Sequence, residues 1–356
     1  MAAINDGTIT YSREELKDWA KVYHEVGFMN KALQAIHAIE TGVKHNTQIV
    51  FSNRLGLIGK KTAGCTPNEI DGISLSEKTW SPVFEDFRLK HCSVDVNQQN
   101  KLVNQMAKMN PDFYNILEGS QSTIGDYIIA ALLEKLPEEI LRKAWFNDIN
   151  AQTISNGGVI TDGTDIGYFN TFDGFFKQVV NEIPATAKNY VNIAVNAGAS
   201  YASQELQPGD SLAILKSMYK KADSRLLSRT DAKFLVTRTI YDGYLNDLEN
   251  LQTAGVGNTV ITENGQTILK FRGYEVVNME LWDRSIQSYE NNGVKTNLPN
   301  RAVFTVSDNI PIATLAVDDF VTIDAFYDRT LKSNFIDGIY SLDAKHLQSY
   351  LTVAAY

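Results

Sequence analysis

Apolar residues recur mostly every three or four positions over the first forty residues: Leu16, Trp19, Tyr23, Val26, Leu33, Ile36 and Ile39. That is the period of an amphipathic helix. Ser12 and Glu15 supply an S-x-x-E capping box ahead of the stripe, Tyr11 and Leu16 a hydrophobic staple, and Gly42 a C-terminal stop. The pattern predicts a helix over 13–41, roughly 43 Å long, weakened at Gly27 by about 1 kcal/mol relative to Ala. So long a stripe must lie against its own chain or against a neighbour, and the sequence leaves both open.

From Asn46 to Val96 the texture is that of strand. Ile49-Val50-Phe51 and Leu55-Gly56-Leu57-Ile58 form an outgoing run, Gly59 to Gly72 a polar loop tip, and Ile73 and Leu75 begin the return. Phe87 and Leu89 share one parity and Cys92, Val94 and Val96 the other, which predicts a β-bulge or a change of partner near His91. The whole reads as a two-stranded excursion. Isolated ribbons are marginal in water, so a partner surface is expected.

Helical periodicity resumes over 97–117 and 122–147, where Pro137 either kinks a helix or opens a new one. Residues 156–167 are loop, and helical patterns follow at 172–183, at 210–222 with Asp210 as N-cap, and at 241–251. Strand patterns occupy 234–239, 260–261, 267–271, 274–279, 302–306 and 320–323, with turn pairs Asn264-Gly265 and Arg272-Gly273, and residues 347–356 close the chain. No fixed-period repeat occurs. The class is α+β, without regular βαβ alternation.

Composition narrows the function. Of 356 residues 44% are hydrophobic, enough for a proper core. The net charge of −9 argues against a dedicated nucleic-acid binder, which carries a basic face. Two cysteines make no disulfide framework. No basic-then-apolar leader opens the chain and no run approaches the ~18 apolar residues of a membrane helix, so a soluble, cytoplasmically made protein with no membrane partner is expected.

Catalytic patterns fail one by one. The stretch from Arg54 to Thr62 lacks both the leading Gly and the Ser/Thr after the Lys that a phosphate loop requires. His91-Cys92 are adjacent strand residues that face opposite sides, and Asp162/Asp165 lack calcium-loop spacing. Asp318-Asp319 read as a solvated strand end. The sequence therefore predicts no catalytic residue, no metal and no cofactor.

Lys233–Glu249 (KFLVTRTIYDGYLNDLE), Phe271–Glu280 (FRGYEVVNME) and Arg301–Thr314 (RAVFTVSDNIPIAT) follow one another in an order and spacing that resembles the Hong Kong 97-type major capsid proteins of tailed double-stranded DNA bacteriophages. Phe172–Val180 resembles the junction leaving that family's spine helix, and Asp318–Asp328 its returning strands. The resemblance implies an N-terminal arm (1–45), an extended two-stranded loop (46–96), a peripheral domain with the spine helix (97–182 and 318–346) and an axial domain (183–317 and 347–356). It implies a structural protein of the virion, assembled in the host cytoplasm as hexamers and pentamers into an icosahedral head that encloses double-stranded DNA without sequence-specific binding. Its alternatives are an encapsulin-like compartment and, from another class, a soluble metabolic α+β enzyme.

The implied partners are further copies of the chain, a portal, decoration proteins and a scaffolding protein. The scaffold is expected to be separately encoded, because no long charged helical region precedes the arm. Expected interface residues are Trp19, Tyr23 and Val26 on the arm, Lys60 and Lys61 at the loop tip, and Trp80. Removing 1–42 is expected to leave the core folded while assembly fails. Some relatives weld subunits through a Lys–Asn bond. Lys60 and Lys61 sit in a polar stretch that does not lower their pKa by burial, so charged contacts rather than welding are expected. Asparagines are too plentiful to single out an acceptor such as Asn309.

Overall fold

The computed structural model describes Val22, Phe28 and residues 31–52, 75–92, 124–253, 260–263, 266–315 and 322–356. Its elements run α1 (Lys31–Gln34), β1 (Ile39–Thr41), β2 (Gln48–Ser52), β3 (Leu75–Thr79), β4 (Val83–Cys92), α2 (Ile124–Phe146), α3 (Phe175–Glu182), β5 (Tyr190–Val191), α4 (Asp210–Lys221), α5 (Ser224–Leu227) and β6 (Lys233–Val236). They continue α6 (Arg238–Thr253), β7 (Val260–Glu263), β8 (Gln266–Phe271), β9 (Tyr274–Asn278), α7 (Glu280–Tyr289), β10 (Ala302–Thr305), β11 (Ile312–Thr314), β12 (Thr322–Asp328), β13 (Ser333–Ala344) and β14 (Val353–Ala355).

A seven-stranded sheet has the order β5-β14-β10-β6-β9-β8-β7. Its middle strands read as continuous apolar runs because both faces are covered. Phe234, Val236, Ala302 and Phe304 enter one core with α4 and α6, whereas Leu235 and Val303 enter a second core on the other side. The rings of Phe234 and Phe304 stack with centroids 4.0 Å apart. Between β8 and β9, Arg272 and Gly273 both take positive φ, 51° and 90°. That is the tight hairpin geometry expected of this pair.

The start of α4 differs from expectation. Gly209, at φ 91°, is the N-cap, and Asp210 lies in the first turn. The free N–H groups there are met from another helix: Asp247 of α6 accepts from Gly209 N at 2.7 Å and from Leu212 N at 3.2 Å. A cap supplied across helices leaves no local signature.

The second sheet has the order β1-β11-β13-β12, with β4 also paired to β13. The twelve-residue β13 is its hub, in register with β12 from Asp328↔Ser333 to Thr322↔Ile339 and with β4 from Cys92↔Ser333 to Val83↔Leu342. The β4 ladder runs unbroken through His91, so no bulge occurs there. Among the described residues the ribbon is β2 with β3, paired from Gln48↔Thr79 to Ser52↔Leu75; β4 belongs to this second sheet, not to the excursion.

Helix α2 keeps Pro137 inside one continuous 23-residue span. Its last turns enter the second core through Leu136, Ile140, Ala144, Trp145 and Phe146. The predicted helix over 13–41 does not reach its expected end. After α1 the chain turns, and β1 pairs in parallel with β11 from Ile39↔Ile312 to Thr41↔Thr314. Ladder hydrogen bonds to a sheet edge outweigh helical periodicity, and Gly42, at φ 77°, ends a strand. The helix expected over 97–117 lies outside the described residues.

Candidate assembly surfaces

The root of the β2–β3 ribbon is clamped to the body at three points. Trp80, 1% exposed, packs with Val43, Ala313 and Ile49. Ser81 N donates to Asp343 Oδ2 at 2.7 Å. Lys78 Nζ donates to Glu182 Oε1 and to the carbonyl of His346, both at 2.5 Å. His346 is itself fully buried, with Nδ1 2.7 Å from Glu182 Oε2 and Nε2 2.8 Å from Thr352 Oγ1. Burial pushes the Glu182 carboxyl upward, but the hydrogen bonds and charges of His346 and Lys78 outweigh it and hold it below the usual range. Burial pushes Asp343 up despite Lys345 nearby.

Trp80, expected at a subunit interface, has its indole covered by its own chain, where it fixes the ribbon root. Asn309 is also committed internally: it is 2% exposed, and its amide donates to the Gln348 carbonyl at 3.0 Å and to Thr352 Oγ1 at 2.9 Å. Trp19, Tyr23, Val26, Lys60 and Lys61 lie outside the described residues.

The end of the arm stripe meets its own domain. Phe28 and Leu33 are buried in the second core, with Ile36 and Ile39 packed against it. His37 follows, stacked on Phe175 at 5.1 Å between centroids. Trp145 Nε1 donates to His37 Nε2 at 3.0 Å, so Nδ1 carries the proton and donates to the Ile310 carbonyl at 2.9 Å. Burial lowers this imidazole to about 4, against the raising effect of the Ile310 hydrogen bond. Removing 1–42 would therefore strip His37, Leu33 and β1 from the body, contrary to the expectation of an independent arm. The second core also holds two buried ion pairs near its edge, Lys143–Glu85 and Arg301–Glu290.

Residues 156–167 are built as turns. Asp162 accepts from Ser155 N and Oγ, at 3.1 and 2.5 Å, and these bonds hold its carboxyl below the usual range. Asp165 accepts from Gly167 N at 2.8 Å. Asp318 and Asp319 lie outside the described residues. Among those residues no group of three His, Cys, Asp or Glu side chains could hold a metal ion, and no helix is long and apolar enough to cross a membrane.

Three exposed apolar side chains share the outer face of the second sheet, Phe84 at 63%, Ile339 at 41% and Phe326 at 38%. The register places Phe84 opposite Ser341, two residues from Ile339. Sequence reading missed this face and β13 with it. The usable signal was the alternation in β4, where Phe84, Asp86, Arg88 and Lys90 face out and Glu85, Phe87 and Leu89 face in.

No known protein family matches the sequence, and no curated protein does. Solved structures do. The capsid of Myoviridae phage XM1 superposes with TM-score 0.52 at 11% identity, over 91% of this chain and 90% of that one. The chain has a phage-capsid fold. The capsid of a native GTA particle matches at TM-score 0.50 and 10% identity, over 100% of this chain and 94% of that one. The SrpI encapsulin of Synechococcus elongatus PCC 7942 matches at TM-score 0.47 and 8% identity, over 92% and 87%.

Proposed function

We propose that this chain is the major structural subunit of an icosahedral phage head, assembling as hexamers and pentamers around double-stranded DNA. The observation that carries the reading is the phage-capsid fold over nine-tenths of both chains. Two physical features support it. The two-stranded ribbon of β2 and β3 is clamped at its root, and such ribbons need a partner surface along their length. The outer face of the second sheet exposes Phe84, Ile339 and Phe326 among the charged Asp86, Arg88 and Lys90, large rings and charges that an adjacent subunit would cover.

Function here is assembly. Identical chains meet through head-to-tail contacts that close into rings, and rings join into a shell. A subunit in such a lattice buries well over the ~1,600 Å² of a standard pairwise interface. The net charge of −9 suits a wall that encloses nucleic acid without gripping its phosphates. Arm residues Trp19, Tyr23 and Val26 and loop residues Lys60 and Lys61 are assigned to subunit contacts. A scaffolding protein, a portal and decoration proteins are the further partners, and no catalytic residue is assigned.

The test is size. Purified full-length chain, alone and co-expressed with candidate scaffold genes, is examined by size-exclusion chromatography and negative-stain microscopy. Rings or megadalton shells are expected. A stable monomer or small oligomer at every concentration, with or without scaffold, would refute the reading. Particles that retain a specific cargo enzyme instead of DNA would mark an encapsulin-like compartment.

A further inference from the structure

The second sheet has two open edges. Among the described residues no strand pairs with β4, or with β12, on the side away from β13. Such an edge is a row of N–H and C=O groups that can template another strand. Neither the ten residues of β4 nor the seven of β12 include Pro or Gly, and both ladders to β13 run without a bulge. Pro and bulges are two of the devices that blunt an edge against pairing, and both strands lack them.

The charges on the outer face show what fits. The register sets Arg88, Asp337 and Asp324 side by side on β4, β13 and β12. Arg88 donates to Asp337 through Nε at 2.8 Å and Nη2 at 2.6 Å. Asp324, exposed at the β12 edge, has no ion-pair partner among the described residues and stands directly opposite the like charge of Asp337. Facing carboxylates destabilise a sheet, so a cation on the far side of Asp324 would relieve the rank. Lys90, exposed at the β4 edge, also has no ion-pair partner among the described residues. One edge thus carries Arg88 and Lys90, the other Asp324 and Asp328.

Strand direction decides how the edges can meet. β4 and β12 both run antiparallel to β13, so they are parallel to each other. A second copy set alongside without reversal brings its β4 against β12 of the first and carries each rank of the sheet across the join. Asp324 then faces Arg88 of the next copy, and Lys90 of that copy lies diagonally between Asp324 and Asp328, within reach of a long side chain. Reversed pairings do worse. β12 on β12 sets aspartates against aspartates, and β4 on β4 leaves Asp324 unmet.

Resting on the shell-forming reading, we infer that the β12 edge of one copy pairs with the β4 edge of the next, joining their second sheets into one sheet across the subunit boundary. The contact is heterologous, the kind whose repetition about an axis closes a ring.

The test is a charge exchange in the full-length chain, read by particle yield near the threshold concentration and by the melting temperature of the unassembled subunit. Asp324→Arg puts like charges across the join, and yield should fall about fivefold or more. The melting temperature should hold, because the new cation stands beside Asp337 in its own sheet. Adding Arg88→Asp to the same chain exchanges the two edges, keeps one cation beside Asp337 and should restore most of the yield. Unchanged yield in the single variant, or a double variant no better than the single, overturns the inference and leaves the shell reading standing. A cryo-electron microscopy map of native particles gives the direct check. β12 of one copy beside β4 of the next is expected, whereas a segment of the same copy, or solvent, along either edge overturns the inference alone. Failure of the native chain to form particles, with or without scaffold, overturns both readings.

Discussion

The ring of Phe87 lies across Gly338 on the neighbouring strand, directly opposite it in the β4–β13 register. A Cβ built on Gly338 would come 2.2 Å from Phe87 Cζ, well inside contact distance. The glycine lets the ring fold flat over the ladder and reach the second core. Gly338→Ala is expected to destabilise the subunit by about 1–3 kcal/mol, the usual range for overpacking. Phe87→Ala removes the clash, so the double variant should cost less than the sum of the singles. Urea unfolding of unassembled subunits measures this, and strict additivity would show that the ring is not the obstacle.

His37 predicts a pH dependence. Its imidazole is lowered to about 4 in the folded chain against an ordinary 6.5, so it is neutral when folded and charged when unfolded over the interval between. The unfolded state then binds more protons, and stability falls as pH drops from 6.5 toward 4, by up to about 3 kcal/mol from this group. Unfolding midpoints from pH 7 to 4 should fall more steeply for the native chain than for His37→Gln. Parallel curves would exclude His37 as the source.

The ribbon root predicts a local effect. Lys78→Met removes the contacts to Glu182 and to the His346 carbonyl, at part-exposed positions where such pairs contribute about 1 kcal/mol or less. Hydrogen exchange should quicken in β2 and β3 and stay unchanged in β10 and β6. Trp80→Ala, in contrast, should cost about 3–5 kcal/mol because the indole is buried.

The Arg301–Glu290 pair predicts an asymmetry. Both side chains are buried, at 6% and 7% exposure, and Arg301 also donates to the carbonyls of Leu298 and Asn297 at 2.9 and 2.8 Å. Glu290→Ala leaves a buried cation unpaired and should cost about 3–5 kcal/mol. Replacing both by apolar residues, Glu290→Leu with Arg301→Met, should recover much of that loss in thermal unfolding. A double variant as weak as the single would place the stabilisation in the carbonyl contacts instead.

Two truncations separate the arm from its root. Deleting 1–42 should lower the melting temperature of the isolated subunit, because β1, Leu33 and His37 are built into it. Deleting 1–21 should spare those contacts and reduce particle yield if Trp19 acts between subunits. Equal yield from the shorter deletion would remove Trp19 from the interface.

Local pattern alone determined the helices with an uninterrupted apolar stripe and the strands closed by turn chemistry. Helix α2 was legible because the stripe of Ile140, Leu141 and Trp145 survives Pro137, and the β8–β9 hairpin because Arg272-Gly273 tolerates positive φ at both positions. The order of the motifs also carried the fold, since a shared architecture preserves element sequence even where residues drift. Tertiary structure decided the rest. β13, with Gly338 and several polar positions, carries no clear strand pattern, and it is a strand because β4 and β12 pair along both its sides. β1 abandons helical periodicity because β11 offers a ladder. Asp247 caps a helix 35 or more residues away in sequence, and Trp145 meets His37 across 108 residues. Nothing in the sequence near Trp80 names Val43 and Ala313 as its cover. Such pairings depend on where the chain returns, and a one-dimensional pattern does not encode which distant segment fills a given face.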